Sequence, residues 1–481
     1  MKRKISLFFE LRESSYSFNI PAFHPFNFTF NFIKMNRFLP VIAGLFFFIT
    51  SCSKSDYRSV VSDPALYRVT VKKLNDIVLE NSFPPVIASR NYVYANIAAY
   101  EVIAAGNTDD YNSLAGQIKH LKPVPKPSLN SKIDFHFASL LAFCTVGNAV
   151  TFPEGSMNAY VEALKERVKD AGMPSDVFEQ SVQYAALVAT HIMDWSKQDN
   201  YMQTRSASKF AVSQEDGRWI PTPPMYSPAL EPHWMEIRPM VLDSASQIVP
   251  PVPPAYNMMD KNSQFYKNAL EVKVTIDSLT KEQKHIADFW DDNPFKLNVS
   301  GHVMYGTKKF SPGGHWMNIT GIATQAKKTD FNETVSIYAE ASIALFDAFI
   351  SCWETKFKSN YVRPETVINK YIDPNWVPYI QTPPFPEYSS GHAVISSVTA
   401  EILTARIGDN IAFRDTSEAE FGIDNREFKS FRTAAMEAGM SRVYGGIHYV
   451  NSCLMGTEQG KQVANIILSR LKFKKPAKSA I

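Results

Sequence analysis

Three separated pieces of this sequence constrain its fold more than any other feature, because a chain that brings them together builds a cage for an oxyanion. The first is Lys356 with Arg363-Pro364 seven and eight residues on; the second is Ser390-Gly391-His392; the third is Ser441-Arg442 with His448 six residues after Arg442. Together they supply three cations, a serine hydroxyl, a glycine N–H and two imidazoles.

Helix periodicity tests whether they can converge. A spacing of seven is two helical turns, so Lys356 and Arg363 share one face of the helix that the apolar pattern predicts from Glu333 onward, and Pro364 ends it. The stretch Gln381 to Pro386 is too rich in proline to be helical, whereas Ala393 to Ile407 reads as an amphipathic helix. Ser390-Gly391-His392 therefore sits at a helix N-terminus, where backbone N–H groups and the macrodipole favour an anion. A spacing of six would put Arg442 and His448 on different faces of one helix, but Gly445-Gly446 lies between them and a break there lets both reach one site. Taken singly, each piece reads as ordinary capping and turn chemistry. In this order and at these spacings they define a joint oxyanion site.

These three motifs resemble those shared by the vanadium-dependent haloperoxidases and the acid phosphatases of the PAP2 (type 2 phosphatidic acid phosphatase) superfamily. The resemblance implies that Lys356, Arg363 and Arg442, with Ser390 and the Gly391 N–H, bind the oxygens of vanadate or phosphate. It makes His448 the axial vanadium ligand or, in a phosphatase, the nucleophile, and His392 the general acid/base. Lys356 would also polarise bound peroxide. Trp353, three residues before Lys356, Phe385 and His315 are the expected halide-site or pocket-lining residues. The second motif departs from the family's PSGH at one place, Ser389, which bears on loop stiffness. The early helix with Ser89-Arg90-Asn91-Tyr92 and the proline-rich, tryptophan-bearing middle extend the resemblance to about residues 85–460.

The 481 residues, 45% hydrophobic and 20% charged, suffice for one large or two medium cores. A net charge of +3 is too small to imply a nucleic-acid partner. Residues 1–34 lack an apolar run of secretion-signal length, whereas Met35-Asn36-Arg37 and the apolar run Phe38 to Ile49 have a signal's charged start and core. Ile49-Thr50-Ser51-Cys52 resembles a bacterial lipobox, so the expected start is Met35 and the expected mature N-terminus a lipidated Cys52, anchoring an exported protein to a bacterial membrane. A simple transmembrane anchor is the alternative, disfavoured because the run is shorter than the roughly 20 residues a span needs. The remaining Cys144, Cys352 and Cys453 lie in apolar helical patterns and read as free buried thiols.

From about Pro64 the chain reads as helix after helix: 66–80, 86–105, then about 131–150, 156–171 and 175–198, with no alternating stretch that argues for a sheet. Further helices are expected over 262–274, from the capping box Thr280/Gln283 to Trp290, over 333–359, and from Val463 to Leu471. The fold class is all-α, with an N-terminal helical half (53–218) and a C-terminal half (261–475) that carries the site, read as two four-helix bundles. Between them, the proline- and tryptophan-rich segment 219–260 is expected to wrap the bundles, because its aromatics need burial. A cluster of cations calls for a carboxylate to orient it, and Asp291, Asp292, Asp347 and Glu354 are the candidates. His285, His302 and His315 show no metal-ligand spacing among themselves.

Three functions fit: vanadate-dependent oxidation of iodide or bromide by hydrogen peroxide, hydrolysis of phosphate esters through a phosphohistidine without a metal cofactor, and oxyanion binding without turnover. Length, the large first helical half and Trp353 favour the first, and His392 disfavours the last. The partners expected are small molecules and, through lipid, a membrane; a homodimer stays open.

Overall fold

The computed structural model describes residues 56–294, 296–300 and 303–476, so the expectations for Met35 and Cys52 lie outside the described residues. The first half holds α1 (Tyr57–Val61), α2 (Pro64–Glu80), α3 (Pro85–Gly106), α4 (Phe135–Val150), α5 (Asn158–Asp170), α6 (Ser175–Ser196) and α7 (Tyr201–Thr204). The second holds α8 (Gln264–Asp277), α9 (Lys281–Phe289), α10 (Pro312–Lys327), α11 (Phe331–Ser359), α12 (Pro364–Tyr371), α13 (Gly391–Ile407), α14 (Phe431–Tyr444) and α15 (Val450–Arg470). Helix starts follow capping chemistry: Asp63, Asp134, Ser263, Ser311 and Asp330 each accept a backbone N–H of the first turn, and Thr280/Gln283 closes the expected capping box.

Two antiparallel hairpins also occur: β1 (Lys296–Ser300) with β2 (Val303–Thr307), and β3 (Phe413–Asp415) with β4 (Arg426–Phe428). Their strands of five and three residues are too short to give an alternating signal. The protein is nonetheless all-α in class.

The two runs of helices share one core, which extends from Tyr57 to Phe473 and passes through α3 and α11. Both helices are buried nearly all round, which explains why α11 is apolar enough to cross a membrane although its most apolar window lies wholly inside the protein. A second cluster, with Phe265, Tyr361, Trp376, Tyr388 and Tyr449, joins α8 and α12 to the loop before α13.

The proline-rich segment lies along α11. Asp347 of α11 accepts the backbone N–H groups of Met240, Val241 and Leu242 at 2.6, 2.7 and 2.9 Å, while Trp234 is buried edge-on to Phe346. Asp347 thus holds a bend whose consecutive N–H groups have no ladder to join, and it does not orient the cations. Glu354 is likewise spent elsewhere, 3.6 Å from Lys358 on the next turn.

Expected helix boundaries shift by a few residues in several places, and two differences bear on the site. Helix α11 stops at Ser359, because Asn360 takes the left-handed conformation (φ 47°) and its N–H caps the Lys356 carbonyl. Arg363 is therefore not on the helix of Lys356 but is the N-cap residue of α12, with Pro364 at its favoured first helical position. The last helix begins at Val450, well before Val463, since Gly456 and Gly460 are helical where α15 packs closely on α13.

Candidate active site

The site forms where α11, the loop 381–390, α13 and the α14–α15 turn meet. At that turn Gly446 has φ 78°, and a Cβ there would stand 3.1 Å from Ile276 and 3.2 Å from the Pro378 Cα, so any side chain is both strained and crowded. The Ile447 N–H returns to the Arg442 carbonyl at 3.1 Å, which closes the end of α14 and turns His448 back beside Arg442.

Glu387 sets the state of His448. His448 Nδ1 lies 2.7 Å from Glu387 Oε1, and the same carboxylate accepts from the Tyr449 N–H at 3.1 Å and the Ser452 hydroxyl at 2.7 Å. A proton on Nδ1 makes Nε2 the lone-pair nitrogen, and Arg363 Nη1 donates to it at 3.1 Å. Burial, then the Arg363, Lys356 and Arg442 charges, hold His448 well below the usual histidine range, so its ring is neutral. Burial raises Glu387 to about 7 against the pull of Arg363 and Lys356. The sequence reading missed Glu387; its one signal was a lone acid in a proline and aromatic loop, three residues before Ser390.

The cations are fixed by backbone carbonyls. Lys356 Nζ donates to Pro386, Glu387 and Ser389 at 3.0, 3.0 and 2.6 Å, and burial brings it down to about 8. All three of its donors are thereby engaged, so Lys356 shapes the loop as well as contributing charge. Arg363 donates from Nε to Phe385 O and from Nη1 to Ile447 O, at 2.9 and 2.8 Å, and burial lowers it to about 10. Arg442 reaches the Trp290 and Asp291 carbonyls and, at 3.0 Å, the Ser441 hydroxyl. Ser389, at the variant position of the second motif, supplies a carbonyl to Lys356 and donates its hydroxyl to Gln459 at 2.6 Å.

Several buried polar atoms of the site are left over. Arg363 Nη2, Ser390 Oγ and His392 Nε2 are buried with no hydrogen-bond partner, and Gly391 opens α13 with its N–H free of the helix. Unpaired guanidinium and hydroxyl donors, a helix N-terminus and a lone pair on His448 form the donor set that an oxyanion with an electrophilic centre would complete. The residues present fit vanadate or phosphate.

A cavity of about 60 Å³ runs from this set to the outside, lined by Trp353, Phe385, Gly391, His392, Arg442 and His448 with Asp291 and Asp292. Phe385 packs 5.0 Å from Trp353 and lies over both Lys356 and Arg363, at 5.0 and 5.1 Å. His392 is held well below its usual range by burial, then by Arg442, and its Nε2 lies 3.6 Å from Asp292 Oδ2. His315, expected in the lining, is instead fully buried behind Asp292. It lies 2.9 Å from both Asp292 and Asp415 and stacks on Trp290; burial opposes its charge, but these two carboxylates push it well above the usual range.

With this geometry defined, comparison with known proteins fixes the class. A family model described as the VCPO second helical-bundle domain matches residues 336–474. The solved structure of a bacterial vanadium-dependent iodoperoxidase is 42% identical, with a TM-score of 0.81 over 86% of this chain and 98% of that one. The chain belongs to the vanadium-dependent haloperoxidase family. Holo and apo structures of a bacterial vanadium-dependent chloroperoxidase share the fold, each at 15% identity and TM-score 0.59, covering 81% and 80% of this chain and 92% and 95% of theirs. Among curated proteins, none matches.

Proposed function

We propose that this protein is a vanadate-dependent iodoperoxidase, catalysing H2O2 + I⁻ + H⁺ → HOI + H2O. The observation that carries the reading is the 42% identity to the bacterial vanadium iodoperoxidase, which spans 98% of that chain. The cavity supports it: about 60 Å³ between aromatic and proline walls suits small inorganic reactants, iodide being the most polarisable halide, better than a bulky phosphate ester.

His448 Nε2 would hold vanadium, while Arg363, Arg442, Ser390 and the Gly391 N–H, with Lys356 behind them, would hold the oxygens. Bound there, vanadate supplies Lewis-acid activation of peroxide for a two-electron oxidation of halide. Glu387 keeps the Nδ1 proton of His448 in place, so that Nε2 stays a lone-pair donor. His392 takes the peroxide proton and returns one to the departing oxygen; once protonated it is stabilised by Asp292 Oδ2, 3.6 Å away. Phe385 and Trp353 exclude water and give halide a polarisable wall. The test is to assay iodide oxidation and phosphate-ester hydrolysis side by side as vanadate is added to vanadate-free protein. Iodide oxidation that rises with vanadate is expected, and ester hydrolysis without it would make the protein a phosphatase.

We also propose export and anchoring through lipidated Cys52, a reading that rests on the lipobox-like sequence alone.

A further inference from the structure

A second cluster lies behind the cavity, outside the oxyanion cage. His315 Nδ1 is 2.9 Å from Asp292 Oδ1 and 3.8 Å from Glu418 Oε1, and the three ligand-type atoms lie within 4.8 Å of one another. The residues come from the loop after α9, the first turn of α10 and the loop after β3, so no sequence spacing reveals them. All three side chains are buried, and both carboxylate oxygens of Glu418 have no hydrogen-bond partner. Lys309 Nζ stands 3.9 Å from Glu418 Oε2, beyond hydrogen-bond reach.

We infer that Asp292, His315 and Glu418 form a binding site for a first-row divalent cation of the zinc or manganese type. Three features support this. A proton on His315 satisfies Asp292 and Asp415 but leaves Glu418 bare, and a proton on Glu418 removes its charge without giving either oxygen a partner; one divalent cation satisfies all of them. Asp415 Oδ2, 2.9 Å from His315 Nε2, is placed to hold the ring proton on Nε2, which frees Nδ1 as a ligand, and Asp415 is itself held by the Ser417 N–H at 2.9 Å. The separations of 2.9 and 3.8 Å bracket the roughly 3 to 3.7 Å between ligand atoms around an ion with bonds near 2.1 Å. One imidazole with two carboxylates favours zinc or manganese over calcium, which needs six or more oxygens. The ion would take Asp292 by Oδ1 and so fix Oδ2 toward His392.

The test reads metal content, which is separate from vanadate binding and from turnover. The full chain, purified without chelator and dialysed, should hold about one equivalent of zinc or manganese by elemental analysis. A strong chelator should lower its Tm, and added Zn²⁺ or Mn²⁺ should restore it. Asp415→Asn should weaken the affinity roughly 10- to 100-fold by freeing the His315 ring, and Glu418→Gln should weaken it further. Should Glu418→Gln fail to fold, titrating Zn²⁺ and Mn²⁺ calorimetrically into chelated wild type still decides. Wild type that holds under a tenth of an equivalent, binds neither ion on titration and shows no chelator effect on Tm would overturn the inference and leave a proton-bridged cluster.

Discussion

At the residue scale, the two histidines of the site sit in opposite surroundings. His448 has Nδ1 tied to Glu387 and Nε2 facing the cage, whereas His392 Nε2 has no hydrogen bond and faces Asp292. His448→Ala should therefore abolish vanadate retention, while His392→Ala should keep the oxyanion and lose turnover; equal vanadate affinity in wild type and His448→Ala contradicts the assignment. Glu387→Gln should keep the fold yet weaken vanadate by roughly 10- to 100-fold, the usual effect of removing the partner that orients a ligand. Lys356 supplies a pH test. Its ammonium is favoured less than in water, with a pKa brought from 10.5 to about 8, so its charge is present below 8 and lost as pH rises through that value. The advantage of wild type over Lys356→Met in vanadate affinity should thus be full at pH 6 and shrink above about 8. An advantage that stays constant to pH 10 would show that Lys356 contributes only by shaping the loop.

At the scale of elements, the turn after α14 is the most exacting. Gly446 and Gly422 both have left-handed φ, 78° and 74°, but a Cβ at Gly422 meets nothing within 4 Å, whereas one at Gly446 meets Ile276 and Pro378. Alanine at either should cost about 1–2 kcal/mol for the backbone alone, and only Gly446→Ala should also displace His448 and reduce vanadate binding. Equal vanadate affinity in both variants would mean that the turn tolerates the shift. Asp347 is the second pivot: Asp347→Ala strands three buried N–H donors and should destabilise the protein by on the order of 3 kcal/mol, read as a lower Tm.

These elements also show what could be read in advance. The glycine pair and the helix starting at Ser390 were legible because local backbone chemistry determines both. Arg363 leaving the helix of Lys356 was not, since an asparagine C-cap and a proline start compete with a continuous periodic pattern over only a few residues. The choice among carboxylates was illegible for another reason. Asp291, Asp292, Asp347 and Glu354 look alike in sequence, and only packing sends Asp347 to the proline-rich segment and brings Glu387 to His448. His315 was misplaced in the same way, its partners lying 23 and 100 residues away.

At the scale of the molecule, the shared core explains the size of the chain. Helices α3 and α11 are buried nearly all round: α2 and α3 pack on the helix that carries Trp353 and Lys356, and α4 and α6 cover α3 from behind. Anchoring belongs to this scale too. Cys52→Ser should release the protein from the membrane fraction; a variant that stays there with its apolar segment uncleaved would identify a transmembrane anchor instead. On the proposed reading, one cage binds vanadate through His448, and occupancy of this cage makes the protein a peroxidase. The most direct measurement is a vanadate titration followed by both equilibrium binding and peroxide-dependent iodide oxidation, repeated with phosphate as competitor. One vanadate per chain, oxidation rising in proportion to occupancy, and competitive loss of both with phosphate are the predicted results; vanadate that binds without iodide oxidation, while inhibiting hydrolysis of a phosphate ester, would contradict the account.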